Sequence, residues 1–345
     1  MSIQALADSL GISISTVSRA LNGYTDVSAA TRSRVFDAAK AMNYSPHPLA
    51  HRLATGKTGA VAILNPLRSG NAIDGSAALL HTGVVQVLGE QKYFVLSLTL
   101  PTDENEIPEL ERLLAARLVD AVVLTRMRTD DSRVRLLQSR NMPFVTHGRT
   151  TAHAPHAWVD IDHLGSTAQA THALIALGHR RIAFLSGMPQ MTFAQLREQG
   201  FRQALAEANI APNACPLRST DLTGAAGRQC AAQLLEQSAE QRPTAFVCAS
   251  DALALGVIAA VREAGLQVGR DISVLGHGNT EAGQLSHPPL ASVEHDLVQS
   301  GRHIAQHVLL LIAGEAAASL QHVEEPRLLL RATVAQATQP MQARR

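Results

Sequence analysis

Apolar positions in the first 57 residues recur at helical spacing. After Gly59 they give way to short apolar runs that alternate with longer amphipathic segments. Ala5, Leu6 and Leu10 make one face of a first predicted helix, and Gly11 supplies the left-handed backbone that a sharp turn needs. Ser13 is a fitting N-cap for a second helix, in which Val17, Ala20 and Leu21 fall at i, i+3 and i+4 and pack inward. Ile14, Ser15, Ser18, Arg19 and Asn22 are left on its outer face. Ser28 caps a third helix with apolar positions Val35, Ala38, Ala39 and Met42. This is a helix-turn-helix pattern, whose second helix can present side chains to phosphates and base edges in a major groove.

Residues 45–57 read as a linker carrying a short helix. Pro48 suits a first helical turn, and Leu49, Ala50, Leu53 and Ala54 form a small apolar face. A helix this short is unstable alone in water and is expected to form only against a partner. Beyond Gly59, strands are predicted at 60–64, 94–98, 121–124 and 144–146, with helices at 77–91, 108–117 and 132–139. A second series follows, with helices at 166–176, 193–207, 225–236 and 253–263 and strands at 182–185, 245–248 and 273–275. Such alternation predicts an α/β body of two doubly wound parallel-sheet subdomains, with ligand in the cleft at the strand C-termini. The expected division is a head at 1–45, a hinge at 46–58, and a tail at 337–345. A first subdomain takes 59–157 and 289–319, a second 158–288 and 320–336.

A chain of 345 residues with 46% hydrophobic content suits two or three domains with proper cores. No apolar run approaches the roughly 20 residues that span a membrane. Met1-Ser2-Ile3-Gln4 lacks a basic region and an apolar signal core, so a cytoplasmic protein is expected. Cys215, Cys230 and Cys248 form no CxxC pair and read as reduced, buried thiols. The net charge of +1 is uneven. Residues 1–57 hold six basic and three acidic side chains, a net +3, and the remainder is −2. A basic head on a near-neutral body fits phosphate contact. His47/His51 and His303/His307 are i, i+4 pairs, but no cysteine or carboxylate accompanies them at ligand spacing, so no metal is expected. Gly276-His277-Gly278 lacks the third glycine of a dinucleotide fingerprint. With no nucleophile, base and orienter in evidence, neither a cofactor nor an enzymatic activity is expected.

The stretch Thr16-Val17-Ser18-Arg19-Ala20-Leu21-Asn22, with Val27-Ser28, Thr31-Arg32, Asn43-Tyr44, Pro46 and Ala50 through Leu53, closely resembles the lactose-repressor (LacI/GalR) family. The resemblance continues through Val159-Asp160-Ile161-Asp162-His163-Leu164-Gly165, Gly178-His179-Arg180-Arg181-Ile182, Arg197-Glu198-Gln199-Gly200-Phe201, Ser250-Asp251-Ala252-Leu253 and Asp271-Ile272-Ser273-Val274-Leu275-Gly276. It reaches to about Val334. It implies a three-helix head plus hinge helix, followed by two subdomains of periplasmic-binding-protein type. It also implies a homodimer on a palindromic double-stranded operator, with DNA affinity set by a small molecule.

Carried over residue by residue, the resemblance puts Ile14 and Ser15 at the specificity-setting pair and Arg19 where an arginine reads guanine through two parallel hydrogen bonds. Ser13, Thr16, Ser18, Asn22, Ser28, Thr31 and Tyr44 would position the head, mostly through phosphates. Ala50 and Leu53 belong to the hinge helix, and Leu53 matches the leucine wedged into the minor groove. In the cleft, Arg197 matches the arginine that holds effector oxygens, with Phe193 one turn earlier. Ser250 replaces an asparagine before Asp251, Gly278 replaces an aspartate, and Leu222 stands where some members place a stacking aromatic. His147, Arg149 and His277 are the expected replacement donors. A sugar or glycoside is the expected effector, and a repressor the expected mode. The tail carries no heptads, so a dimer without a coiled-coil tetramer is expected. A solute-binding protein of periplasmic type, without a DNA role, is the competing reading. It would share the body but not the head.

Overall fold

The computed structural model describes residues 2–21, 24–44, 57–66, 75–100, 105–150 and 154–337. Asn22, Ala50 and Leu53, the predicted hinge up to residue 56 and the tail beyond Ala337 lie outside the described residues.

The head is three helices, α1 (Ile3–Leu10), α2 (Ile14–Leu21) and α3 (Ala29–Ala41). The Ser2 hydroxyl caps α1 by accepting from the Ala5 N–H, and Gly11 ends it at φ 66°. Ser13 and Ser28 cap α2 and α3, accepting from the N–H groups of Thr16 (3.0 Å) and Thr31 (3.2 Å). Leu6, Ala7, Val17, Ala20, Val27, Val35 and Ala39 make the core. Ala7, rather than the expected Ala5, joins Leu6 there, because Ala5 is only half-buried.

The body begins β1 (Ala60–Pro66), α4 (Gly75–Glu90), β2 (Phe94–Leu100), α5 (Glu106–Ala115), β3 (Ala121–Leu124), α6 (Ser132–Ser139), β4 (Phe144–His147) and β5 (Ala157–Ile161). It continues through α7 (His163–Ala176), β6 (Ile182–Gly187), α8 (Thr192–Glu207), β7 (Leu217–Thr220), α9 (Gly224–Leu235), β8 (Ala245–Cys248), α10 (Asp251–Glu263), β9 (Ser273–His277) and a short α11 (Glu281–Gln284). β10 (Ala291–Glu294), α12 (Leu297–Ala313), β11 (Gln321–Glu324) and β12 (Arg327–Leu329) complete it.

Two six-stranded sheets result, in the orders β11-β5-β4-β3-β1-β2 and β12-β10-β9-β8-β6-β7. Every pairing is parallel except that of β12 with β10. Period-two alternation distributes the first sheet's side chains between two cores. Ala60, Ala62, Leu64, Val122 and Leu124 pack into one, and Val61, Ile63, Ala121 and Val123 into the other. Helices α4 and α12 lie together on one face. Their approach needs glycine, because a Cβ at Gly83 would stand 2.0 Å from the Val298 carbonyl oxygen, and one at Gly301 would stand 2.1 Å from that of Leu80.

Strand pairing corrects the expected division of the chain. β5 lies in the first sheet beside β4, so that sheet extends to Ile161. Ala291–Glu294, expected in the first subdomain, pairs with β9 in the second sheet. Gln321–Glu324, expected in the second, pairs with β5 in the first. None of these three strands was expected from the sequence, and periodicity would in any case not name a strand's neighbour, which is why the assignment failed. The chain therefore crosses between sheets three times, after β5, between β10 and α12, and between β11 and β12.

Candidate functional sites

On the head, the outer face of α2 carries Ile14, 40% exposed, with exposed Ser15 and Arg19 and half-buried Thr16 and Ser18. Arg19 forms an ion pair with Asp26, and its guanidinium lies 5.4 Å from the Tyr24 ring centroid. Neither Asp26 nor Tyr24 stood out in the sequence. Ser13 and Thr16 share a 2.8 Å hydroxyl contact, and Ser28 and Thr31 repeat the arrangement at 2.9 Å. Tyr44 packs against the head core. The arrangement offers an apolar contact, a hydroxyl and a guanidinium on one helix face, with two helix N-termini whose N–H groups suit phosphate oxygens.

In the body, the C-terminal ends of strands from both sheets close on a cavity of about 280 Å³. It gathers all eight residues expected there: His147, Arg149, Phe193, Arg197, Leu222, Ser250, Asp251 and His277. His147 and His277 end β4 and β9. Phe193 and Arg197 lie on one face of α8, and the Arg197 guanidinium sits 5.1 Å from the Phe193 ring centroid. Arg197 donates to the Ala249 carbonyl (2.6 Å) and to His163 Nδ1 (3.3 Å). Leu222 covers Gly187, where a Cβ would meet its Cδ2 at 2.5 Å.

The electrostatics centre on Asp160, which sequence reasoning had left without a role. Its carboxylate accepts from Arg149 Nε at 2.7 Å and from the Ile161 N–H at 2.9 Å, with His163 Nε2 3.5 Å away. Burial raises its pKa, but His163 and Arg149 outweigh that and hold it at about 2. Burial, followed by the Arg197 charge, pushes His163 down to about 4. Burial takes Arg197 to about 9, leaving it charged at neutral pH. His295, missed because β10 was not foreseen, is held at about 3 by burial and then by Arg197. His277 is also held well below the ordinary imidazole value, by burial and then by the Arg197 charge. The cleft imidazoles are therefore neutral. Among them His147 Nε2, His277 Nε2 and His295 Nδ1 are buried without a hydrogen-bond partner. Such groups can exchange hydrogen bonds with a hydroxyl-rich ligand.

Two expected contacts carry structural duties. Ser250 caps α10, accepting from the Leu253 N–H at 3.2 Å. Asp251 lines the cavity, but Oδ2 accepts from the N–H and hydroxyl of Thr280 and Oδ1 accepts from the Ser292 hydroxyl. Asp251 thus fixes the wall, with no carboxylate oxygen left unpaired for a ligand.

Residues 2–47 match the lacI family of bacterial regulatory proteins, and 171–334 match the periplasmic binding protein-like domain. The HTH-type transcriptional regulator AglR of Rhizobium meliloti (strain 1021) is 34% identical over 340 residues, covering 96% of this chain and 94% of AglR. The chain belongs to the lacI family of bacterial regulatory proteins. CelR of Thermobifida fusca, another HTH-type regulator, is 30% identical over 334 residues, 95% of this chain and 97% of CelR. Among solved structures, a lac repressor dimer bound to operator and an anti-inducer superposes with TM-score 0.81 at 26% identity, covering 97% of this chain and 99% of that one. A CelR–cellobiose complex gives 0.74 at 28% identity, covering 96% and 99%. These lacI-family relatives are transcriptional regulators rather than enzymes, and both the head and the two-sheet body are common to the pattern. Among the described residues no helix is long and apolar enough to cross a membrane.

Proposed function

We propose that this chain is a cytoplasmic, sugar-responsive transcription regulator, acting as a repressor, that binds a palindromic operator as a homodimer. The observation that carries the reading is the union on one chain of an exposed reading face, Ile14-Ser15-Arg19, with a cavity lined by Arg197, Phe193 and unpaired imidazole nitrogens. The CelR–cellobiose complex supports a saccharide in the corresponding cleft. The lac repressor–operator complex supports the dimer on DNA. The head argues against the solute-binding reading, which gives residues 2–47 nothing to do.

Two heads read half-sites, Arg19 at a guanine and Ile14 against an apolar base edge such as a thymine methyl. Ser13, Thr16, Ser18, Ser28, Thr31 and Tyr44 orient the head on the backbone. Effector binding changes the angle of the two sheets about the three crossings. The change acts on the hinge segment, where Ala50 and Leu53 engage the minor groove. A short helix is marginal alone, so a small change in spacing across the dimer unmakes it. The effector acts only through its differential affinity for the two states.

A thermal-shift screen of the purified full-length protein against mono- and disaccharides, glycosides and nucleosides tests this. A saccharide should raise Tm with concentration as RT ln(1 + [L]/Kd), and the shift should vanish in Arg197→Ala. The same saccharide should change operator affinity in a gel-shift titration. A nucleoside hit with no saccharide hit would overturn the effector class. A saccharide that binds without altering DNA affinity would overturn the coupling.

A further inference from the structure

Outside the cleft, α12 and β11 bring together chemistry that the function above does not use. His303 and His307 stand one helical turn apart on α12, and His322 and Glu324 are two residues apart on β11, so each pair shares a face of its element. The pair His303/His307 had no visible carboxylate companion in the sequence. The sheet supplies one from about 20 residues further on.

We propose that His303, His322 and Glu324 form a binding site for a divalent transition metal of the zinc class. The ligand-capable atoms of His303, His322 and Glu324 all lie within 4.8 Å of one another. The His303 and His322 rings meet edge to face with centroids 4.5 Å apart, and His303 Nδ1 is 2.9 Å from Glu324 Oε1. Glu324 is held from behind by the Ser300 hydroxyl, and Gln299 Nε2 lies 3.0 Å from His303 Nε2. These are the outer contacts that orient ligands in metal sites. His307, one helical turn along α12 from His303, has a buried Nδ1 without a hydrogen-bond partner.

The donor set selects the ion. Imidazoles with one carboxylate suit Zn²⁺, Co²⁺, Ni²⁺ or Cu²⁺, whereas Mg²⁺ and Ca²⁺ take oxygen ligands. Three such side chains leave the fourth tetrahedral position to water, as in an open zinc site. The location has a consequence: α12 begins at the second crossing between the sheets and β11 ends at the third. An ion here would tie those two segments together on the first-sheet side.

The test is titration of the tag-free full-length protein with Co²⁺, followed by visible absorption, and with Zn²⁺, followed by calorimetry and Tm. One ion per chain is expected, with the visible bands of four-coordinate Co²⁺, displacement by Zn²⁺, a rise in Tm, and no response to Mg²⁺. His322→Gln and Glu324→Gln should each weaken binding about tenfold or more. His322→Gln, on a partly exposed edge strand, should leave the metal-free Tm in place. Absence of Co²⁺ and Zn²⁺ binding would overturn the proposal. So would binding that survives both substitutions undiminished, which would put the ion on other histidines.

Discussion

The head and the cleft handle their functional side chains in opposite ways. Ile14, Ser15 and Arg19 stand out in solvent on one short helix, and the head core of Leu6, Val17 and Val35 is complete without them. In the cleft, Arg197 is 6% and Asp251 1% exposed, and each is bonded into the walls. The proposed reading face is thus separable from folding, whereas the proposed effector residues belong to the contacts that hold the cleft wall in place. Substitutions should divide along that line.

The largest effect is expected at Asp251. Asp251→Ala removes the acceptor of the Thr280 N–H, the Thr280 hydroxyl and the Ser292 hydroxyl, and it leaves the buried Ser292 hydroxyl and the part-buried Thr280 donors without that partner. A buried donor left unpaired costs about 1–3 kcal/mol, and a part-buried one less. Urea unfolding of the body should lose about 2–4 kcal/mol, with operator selectivity of the folded fraction retained. An unfolding midpoint equal to the parent's would show the cleft wall to be held some other way.

Acid should next separate the two regions. His163 and His295 are held at about 4 and 3, below the ordinary imidazole value near 6.5. The unfolded chain therefore binds more protons than the folded one below about pH 6.5. Stability from their burial is complete above that pH and is lost as pH falls toward 4 and then 3. Asp160, held at about 2, loses its own contribution only below about pH 4. Residues 1–44 contain no histidine. The body transition in calorimetry should move down between pH 7 and 5 while the head transition stays. Equal movement of both would remove the cleft imidazoles as the cause.

The same contrast governs what the sequence made legible. The head was readable because its logic is local: Gly11, the caps Ser13 and Ser28, and the spacing of Val17 and Ala20 all act within one turn. Central strands such as Ala121–Leu124, buried at every position, were equally plain. The edge strands β7, β11 and β12 were not, because Leu-Arg-Ser-Thr and Gln-His-Val-Glu carry the polar residues that half-exposed edges tolerate. Asp160, His163 and His295 followed the same rule. They act only through partners on other elements, so no spacing reveals them. The eight expected cleft residues, family matches and departures alike, line the cavity, but the duties of Ser250 and Asp251 there emerged only from their hydrogen bonds.

On the head, Arg19→Ala should cost about 1–3 kcal/mol of discrimination per half-site and leave unfolding within about 0.5 kcal/mol of the parent. Competition between operator and random duplex, measured beside a urea melt, reads both quantities. Retained discrimination would remove Arg19 from the base-reading set. Loss of stability matching the loss of binding would erase the distinction between head and cleft.

The finest test concerns Asp26, whose carboxylate neutralises Arg19 in the free head. Both partners are about half exposed, so the pair contributes little to stability, and Asp26→Asn should leave the melt unchanged. The neutral amide frees the guanidinium for phosphate in non-specific complexes. Random-duplex affinity should rise, and the slope of log K against log salt should steepen by up to about 0.9 per head. Operator affinity should rise less, because there Arg19 is engaged with a base and its release from Asp26 is already part of binding. The net result is a regulator that binds DNA more tightly and chooses less well. Asp26 would then act by setting how much of Arg19's charge is offered before a guanine is found. An unchanged salt slope would instead make the Asp26 contact incidental to recognition.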